Sequence, residues 1–339
     1  MRAVAGASQV SHRGGTEGSR VMPPWLKRDA GHAFGFEVYV QLRGTTIILV
    51  RGCDVISDGA KSVNAKYRLS SVTLFFLLHA GCLAVFFVPF RWWYVALAAG
   101  LYFLRMFAVT AGYHRYFSHR SYKLARVPQF LLAFLAETSG QKGVLWWAAH
   151  HREHHMYSDT PQDVHSPVQR GFWWAHMGWI LSDGYDDHDP KLIQDFGKFP
   201  ELRWLSRNYL IPPALLGAAV FLLGGLGAFV WGFVLSTVCL YHGTFTINSL
   251  AHVWGGRRFE TSDDSRNNFV LALITMGEGW HNNHHKFMYA CRQGLRWWEV
   301  DCTYYLVKML GWVGVAREIR EPRQVAEVAE IAEPEMAIL

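Results

Sequence analysis

Charge is what this 339-residue chain has least of. Charged residues make up 18% of it, against about 25% in an ordinary soluble domain. The net charge is a modest +6, and no Lys/Arg-rich run or nucleic-acid-binding motif accompanies it, so nucleic acid is not expected as a partner. Cysteine is also sparse. Cys53, Cys82, Cys239, Cys291 and Cys302 form no C-x-x-C pair, which excludes a disulfide framework and the usual zinc or iron–sulfur spacings. A dinucleotide-binding G-x-G-x-x-G and a haem-binding His-Pro-Gly-Gly are both missing. No cationic-then-apolar start with a small-residue cleavage site opens the chain, so no secretory signal peptide is expected. There are no internal repeats.

What the chain has instead is apolar and aromatic. It is 51% hydrophobic, with 15 Trp and 22 Phe, yet its mean hydropathy is only +0.05, so a large part faces water. A helix needs about 20 apolar residues to cross a bilayer. Ser70–Phe90 and Trp92–Tyr113 each qualify and form a tight pair; Tyr209–Leu223 and Gly227–Ala251 form a second pair, joined by Gly224, Gly225 and Leu226. Arg105 and His242 interrupt these runs and are tolerable facing the bundle interior. Val127–Ala136 is too short to span and reads as an interfacial or buried helix.

Lys/Arg bias sets the orientation. The short connections carry one basic residue between them, whereas the segment from His114 to Arg207 carries eleven. The expected fold is therefore an all-α, multi-pass integral membrane protein. Four transmembrane helices would carry a cytoplasmic helical cap, with both termini in the cytoplasm. Residues 66–318 would form this membrane domain. Residues 1–65 form an N-terminal segment without a defined place in it, although "EVYVQLRGTTIILVRG" has a partly β-like pattern, and 319–339 form a C-terminal tail.

Histidine is concentrated. The stretch "AAHHREHHMYSD" has four in twelve residues. Of 17 histidines in all, nine fall into four groups: His114 and His119 in "HRYFSH"; His151, His154 and His155 in "HREHH"; His281, His284 and His285 in "HNNHH"; and His252 in "NSLAH". The four-span topology puts all four groups on the cytoplasmic side, near span ends. On a helix, positions i, i+3 and i+4 share a face, so each H-x-x-H-H is expected to point three imidazoles one way. H-x-x-x-x-H does not do so on a straight helix, and one of its histidines is expected at the helix end with the other just past it. Neutral imidazole suits zinc, copper, iron and nickel. Nine imidazoles exceed the needs of one ion and suit two. The residue types alone leave the metal open.

The motifs "AGYHRYFSHRSYK", "HREHHMYSDTPQDVHSP", "GFWWAHMGWIL", "NSLAHVWG" and "MGEGWHNNHH" resemble those of the membrane fatty acid desaturases of the stearoyl-CoA (Δ9) type, with every box in order from about Leu69 to Val315. The resemblance implies two iron ions held by His114, His119, His151, His154, His155, His252, His281, His284 and His285, with Asn248 holding a water. It implies that O2 and two electrons are used to remove two hydrogens from adjacent methylenes, leaving a cis double bond and water in unsaturated fatty acid biosynthesis. The electrons would come from a separate ferredoxin or cytochrome b5-like donor and its reductase.

A metal-bound histidine usually gives its other N–H to a carboxylate or carbonyl. Glu153, Asp159, Asp163 and Glu278 are the candidate carboxylates, and His165 is a further candidate beside the boxes, with His150 and His176. Trp146, Trp147, Trp173, Trp174 and Trp179 are candidate walls of the acyl tunnel or, equally, interfacial anchors. One departure stands out. Animal acyl-CoA enzymes of this type read W-A-R-D-H into the second box, where the Arg helps hold the CoA head group; this chain reads Trp147-Ala148-Ala149-His150-His151. Acyl-CoA, acyl-lipid and acyl carrier protein thus all stand as carriers. A histidine-box hydroxylase would use the same ligands, and a metal transporter would place them within the spans.

Overall fold

The computed structural model describes Tyr67 and residues 69–322. The β-like stretch, the rest of the 1–65 segment and most of the 319–339 tail lie outside the described residues. Among the described residues there is no strand, only isolated bridges such as Tyr67 with Ser182, and the architecture is helical.

Three helices are long and apolar enough to cross a membrane: Leu69–Phe86, Trp92–Ser118 and Ile211–His252. The first comprises helix α1 (Leu69–Gly81) and a 3-10 extension. The second comprises α2 (Trp92–Phe107) and a π-helical continuation over Ala108–Ser118. The third has 42 residues. A straight helix of that length would run about 60 Å, twice the roughly 30 Å of a bilayer core. It is not straight. Gly225 has φ 71° and ψ −169°, a region essentially reserved for glycine. Phe221 and Phe229 lie with ring centroids 6.0 Å apart, and a Cβ on Gly217 would sit 3.1 Å from the Phe233 ring. Both pairs straddle Gly225 symmetrically, so the chain folds back there into two antiparallel apolar arms.

Close backbone approach ties the returning arm to α2. A Cβ at Gly232 would sit 2.6 Å from Leu97, and one at Gly243 the same distance from the Tyr102 hydroxyl. Small residues allow such approach where lipid supplies no hydrophobic drive between helices. Arg105 turns inward and donates to Thr237 Oγ1 at 2.6 Å and Ser236 Oγ at 2.5 Å. Phe86, Phe87, Leu222 and Leu223 are each at least 80% exposed, an apolar exterior that water would not tolerate.

The cap is built from α3 (Arg126–Glu137), α4 (Val144–Tyr157), α5 (Pro200–Arg207) and a series of short turns. The bent third helix supplies α6 (Ile211–Ala228) and α7 (Ser236–Ser249), and α8 (Phe269–Ile274), α9 (His281–Lys286) and α10 (Cys302–Trp312) follow. Helix α3 is the short apolar run seen in the sequence. Gln129, Ala133 and Ala136 face inward while Val127 and Leu131 stay exposed. The start of α4 is fixed by two side chains. Glu137 Oε1 accepts from the Val144 N–H at 2.9 Å, and Ser206 Oγ accepts from the Leu145 N–H at 3.1 Å, satisfying orphan donors of the first turn.

Candidate metal centre

The first histidine pair is set by the π-helix. Its i→i+5 bonding matches the spacing of five, and the His119 N–H donates to the His114 carbonyl at 3.2 Å. The two rings consequently meet, with centroids 4.8 Å apart. His119 lies one residue past the π-helical segment.

The nine histidines converge into two groups. His114, His119, His151, His155 and His284 form one; His154, His252, His281 and His285 form the other. Each H-x-x-H-H is divided between them, which corrects the expectation of three imidazoles pointing one way. Residues i and i+4 are about 40° apart around a helix and i+3 lies about 60° to the other side. The pair His151/His155 therefore goes to the five-histidine cage and His154 to the other, whereas the pair His281/His285 goes to the four-histidine cage and His284 to the first.

The rings meet through Nε2. In the first cage His119–His151, His114–His284, His155–His151 and His284–His155 are 2.8, 3.0, 3.0 and 3.0 Å apart. In the second, His252–His281 and His285–His281 are 3.1 and 3.0 Å. Two imidazole nitrogens about 2.1 Å from one cation, at right angles, lie about 3 Å apart, so the spacing fits ligation.

The protonation pattern fits as well. His252 Nδ1 donates to Asp159 at 2.8 Å and His285 Nδ1 to Asp263 at 2.7 Å, so in the neutral rings both Nε2 atoms present lone pairs to the same His281 nitrogen. One N–H cannot serve both well, and a cation serves all three. Burial, then the neighbouring imidazoles, push His119, His151, His155, His281 and His284 well below the ordinary imidazole range, which keeps them neutral and ligand-ready.

Carboxylates orient the outer nitrogens. Asp163 accepts from His154 Nδ1 at 3.0 Å, Asp159 from His252, and Glu278 pairs with His114 Nδ1. Burial alone would raise the Asp159 carboxyl, but hydrogen bonds from His252, Ser166 and the Asp264 N–H outweigh it and hold it at about 2. Glu278 behaves alike: burial raises it, while His114, Arg115 and Gln293 bring it to about 2. His165 packs on the His154 ring, centroids 4.4 Å apart, with its Nδ1 3.7 Å from Asp163. Glu153 makes no contact with a cage histidine. One residue before His154, it is about 100° around the helix, and burial, then the Asp163 and Asp189 charges, raise its carboxyl above the usual range.

Two contributors lie outside the sequence candidates. Asp263, in "TSDDS", backs His285. Arg115 is fully buried and clamps Glu278 at 3.0 Å and Asp301 at 2.9 Å. Asp263 carried no signal beyond being acidic, and Arg115 looked like one more basic residue of the topology count.

Of the five tryptophans, only Trp147 joins the site. It stacks on His151, centroids 5.0 Å apart, and lines a cavity with Met106, Val109, Thr110, Ile247 and Asn248, open also to His114, His151 and Glu278. Asn248 thus lines the cavity beside the five-histidine cage. Trp146 and Trp179 stack on each other at 5.6 Å in a cluster with Val164, against which Trp147 also packs, and Trp179 lies 5.0 Å from the His165 ring. Trp174 donates to the Val164 carbonyl at 2.9 Å, and Trp173 is 55% exposed. His150 stays off the cages and bonds its Nδ1 to the Trp146 carbonyl at 3.0 Å. His176 bonds Ser249 and His242, both at 2.9 Å.

A profile of the family described as fatty acid desaturase matches residues 90–308. The chain is 37% identical over 253 residues to the sn-1 stearoyl-lipid 9-desaturase of Anabaena variabilis, covering 73% of this chain and 92% of that one. It is 34% identical over 279 residues to the acyl-CoA C20 Δ5-desaturase of Anemone leveillei, covering 78% and 87%. It is 37% identical over 235 residues to the palmitoyl-monogalactosyldiacylglycerol Δ7 desaturase, chloroplastic, of Arabidopsis thaliana, covering 68% of this chain and 63% of that longer one.

Proposed function

Since the chain belongs to the fatty acid desaturase family, we propose that it is an O2-dependent acyl desaturase. It introduces a cis double bond, at Δ9, into a saturated chain. Its nine cage histidines hold two iron ions, and Asn248 holds a water beside them. The observation that carries this is the convergence of nine imidazoles on two centres, with an apolar cavity beside the five-histidine one.

Bound iron supplies the redox chemistry by which O2 and two electrons oxidise the acyl chain. The rest falls to the chain's own residues. Met106, Val109 and Ile247 offer the acyl chain an apolar wall, and Trp147 fixes its distance from the cages. Positioning of this kind supplies a large part of catalysis for an unactivated bond. Asp159, Asp163, Asp263 and Glu278 hold their histidines in one tautomer with the lone pair inward.

Acyl-lipid is the favoured carrier. The position where animal acyl-CoA enzymes carry a head-group Arg is Ala149, with no exposed surface in the core cluster. Counting Ile211–His252 as two spans gives four, and with the Lys/Arg bias of His114–Arg207 this supports reading the cages and the termini as cytoplasmic. A separate ferredoxin or cytochrome b5-like donor delivers the electrons.

The test is the lipid profile of a host expressing the chain, against His154→Ala. New monounsaturated chains only with the unmodified protein support the reading, and their double-bond position gives the regiochemistry. Hydroxylated chains in place of olefins would reassign the chemistry.

A further inference from the structure

Imidazoles are shared five to four between the cages, but carboxylates are shared one to three in the opposite sense. In the four-histidine cage, His154, His252 and His285 each give Nδ1–H to an aspartate: Asp163 at 3.0 Å, Asp159 at 2.8 Å and Asp263 at 2.7 Å. In the five-histidine cage only His114 meets a carboxylate, Glu278. His155 and His284 have buried Nδ1 atoms without a partner, as does His281 alone in the four-histidine cage.

The charges are also balanced differently. Glu278 is shared with the buried Arg115 guanidinium, which reaches Oε1 from Nε at 3.1 Å. The three aspartates are held by neutral donors outside the cage. Asp159 accepts from Ser166 Oγ at 2.6 Å and the Asp264 N–H at 2.8 Å. Asp163 accepts from the N–H groups of Asp159 and His165 at 2.9 and 3.2 Å. Asp263 accepts from Thr261 Oγ1 and the Ser265 N–H, both at 3.0 Å. Three uncompensated negative charges thus stand one imidazole away from the centre of the four-histidine cage.

We propose that Asp159, Asp163 and Asp263 make the four-histidine cage the tighter of two unequal metal sites, the first to fill and the last to empty. This rests on the reading that both cages hold metal. An orienting partner behind a histidine is worth about 10- to 100-fold in metal affinity, and this cage has two more of them than its neighbour. The fifth imidazole of the other cage pulls the opposite way, but it adds a neutral donor where the aspartates add charge as well as ligand basicity. Coulomb attraction to a dication is weakly screened in a buried site.

The experiment loads full-length detergent-solubilised protein with ⁵⁷Fe(II) and follows release to a chelator by Mössbauer spectroscopy and metal analysis. Release should be biphasic, with rates at least ten-fold apart. The slow ion should persist in His119→Ala and be missing from His285→Ala. Asp263→Asn, which keeps an acceptor and removes the charge, should speed the slow phase ten-fold or more and spare the fast one; Glu278→Gln should speed only the fast phase. Simultaneous release of both ions, or a slow ion retained by His285→Ala, overturns the proposal. If Asp263→Asn does not fold, the unsubstituted protein and the two histidine variants decide alone. A folded protein that takes up no iron at all refutes the metal reading instead, so the two failures are distinguishable.

Discussion

His114 and His119 lie with ring centroids 4.8 Å apart because a π-helical segment over Ala108–Ser118 links them. An α-helix would carry residues five apart to different faces; the wider π turn brings them back together. Register is therefore functional here. His119→Ala should lower bound iron from two ions to one and activity by at least about 100-fold, with the helical circular dichroism unchanged. Moving the histidine one position earlier, Ser118→His with His119→Ala, should not restore the second ion. Restoration of full iron content in that double variant would show that the segment works as an ordinary α-helix.

Glu137 makes a different prediction, on stability against pH. It is fully buried, and burial raises its pKa to about 8, only partly offset by the Val144 N–H. The unfolded chain would ionise it near 4.5. Between those values the unfolded state releases a proton that the folded state keeps, so stability falls as pH rises from about 4.5 to about 8 and is flat above. Glu137→Gln retains the acceptor for Val144 and cannot ionise. It should match the original near pH 4.5 and exceed it at pH 8.5 by up to a few kcal/mol, at about 1.4 kcal/mol per pKa unit as an upper bound. Glu137→Ala, which cannot ionise either but loses the acceptor for Val144, should lie about 1 kcal/mol below Glu137→Gln at any pH, as helix-cap losses do. Thermal melts of the three proteins across that range check it, and parallel pH curves for Gln and Glu would refute it.

Much of the site was legible because metal ligation restricts residue type and spacing together. The two H-x-x-H-H boxes announced helices carrying imidazoles, and the nine histidines they belong with do come together. How those boxes divide between two centres was not legible: it depends on how α4 and α9 face each other, a tertiary fact. The π-helix was invisible for a related reason, since its hydrogen-bond register leaves no mark in apolar periodicity. Asp263 follows the same logic. Its neighbour Asp264 is equally acidic, and only the path of the chain decides which of them reaches His285. In the fold, apolar run lengths read the arms well, and the turn at Gly224–Leu226 proved to be a single glycine in a conformation other residues avoid.

That glycine gives a conformational prediction. A Cβ at Gly225 would meet no atom within 4 Å, so substitution there causes no clash. Its φ of 71° and ψ of −169° are the whole penalty, about 1–3 kcal/mol for a non-glycine residue. Gly225→Val should lower the melting temperature and the yield of monodisperse protein. Gly171 offers a control: it also has positive φ and open space around it, but it sits in the cap, away from the Phe221–Phe229 hairpin. Gly171→Val should cost comparable stability without disturbing that hairpin. A cysteine pair replacing Phe221 and Phe229 should cross-link with Gly225 present and lose cross-linking in the Gly225→Val background. Equal cross-linking in both would show that the fold-back does not depend on the glycine.

Trp147 is where shape should turn into product. Its ring stacks on His151 at 5.0 Å and 22° and on Tyr113 at 5.4 Å and 21°, and its remaining surface walls the cavity beside the five-histidine cage. Trp147→Phe keeps an aromatic face against His151 and should retain most of the activity with little change in double-bond position. Trp147→Ala removes a half-buried ring, which costs less than the about 3–5 kcal/mol of a fully buried aromatic, and frees the acyl chain to slide. Its product should fall about ten-fold or more and spread over neighbouring double-bond positions, because a misplacement of about 1 Å costs up to 100-fold in a positioned reaction. Derivatisation of the double bonds followed by mass spectrometry reads both effects. An Ala variant with lower yield but one unchanged double-bond position would show that Trp147 supports the fold and that another wall sets the depth of the chain.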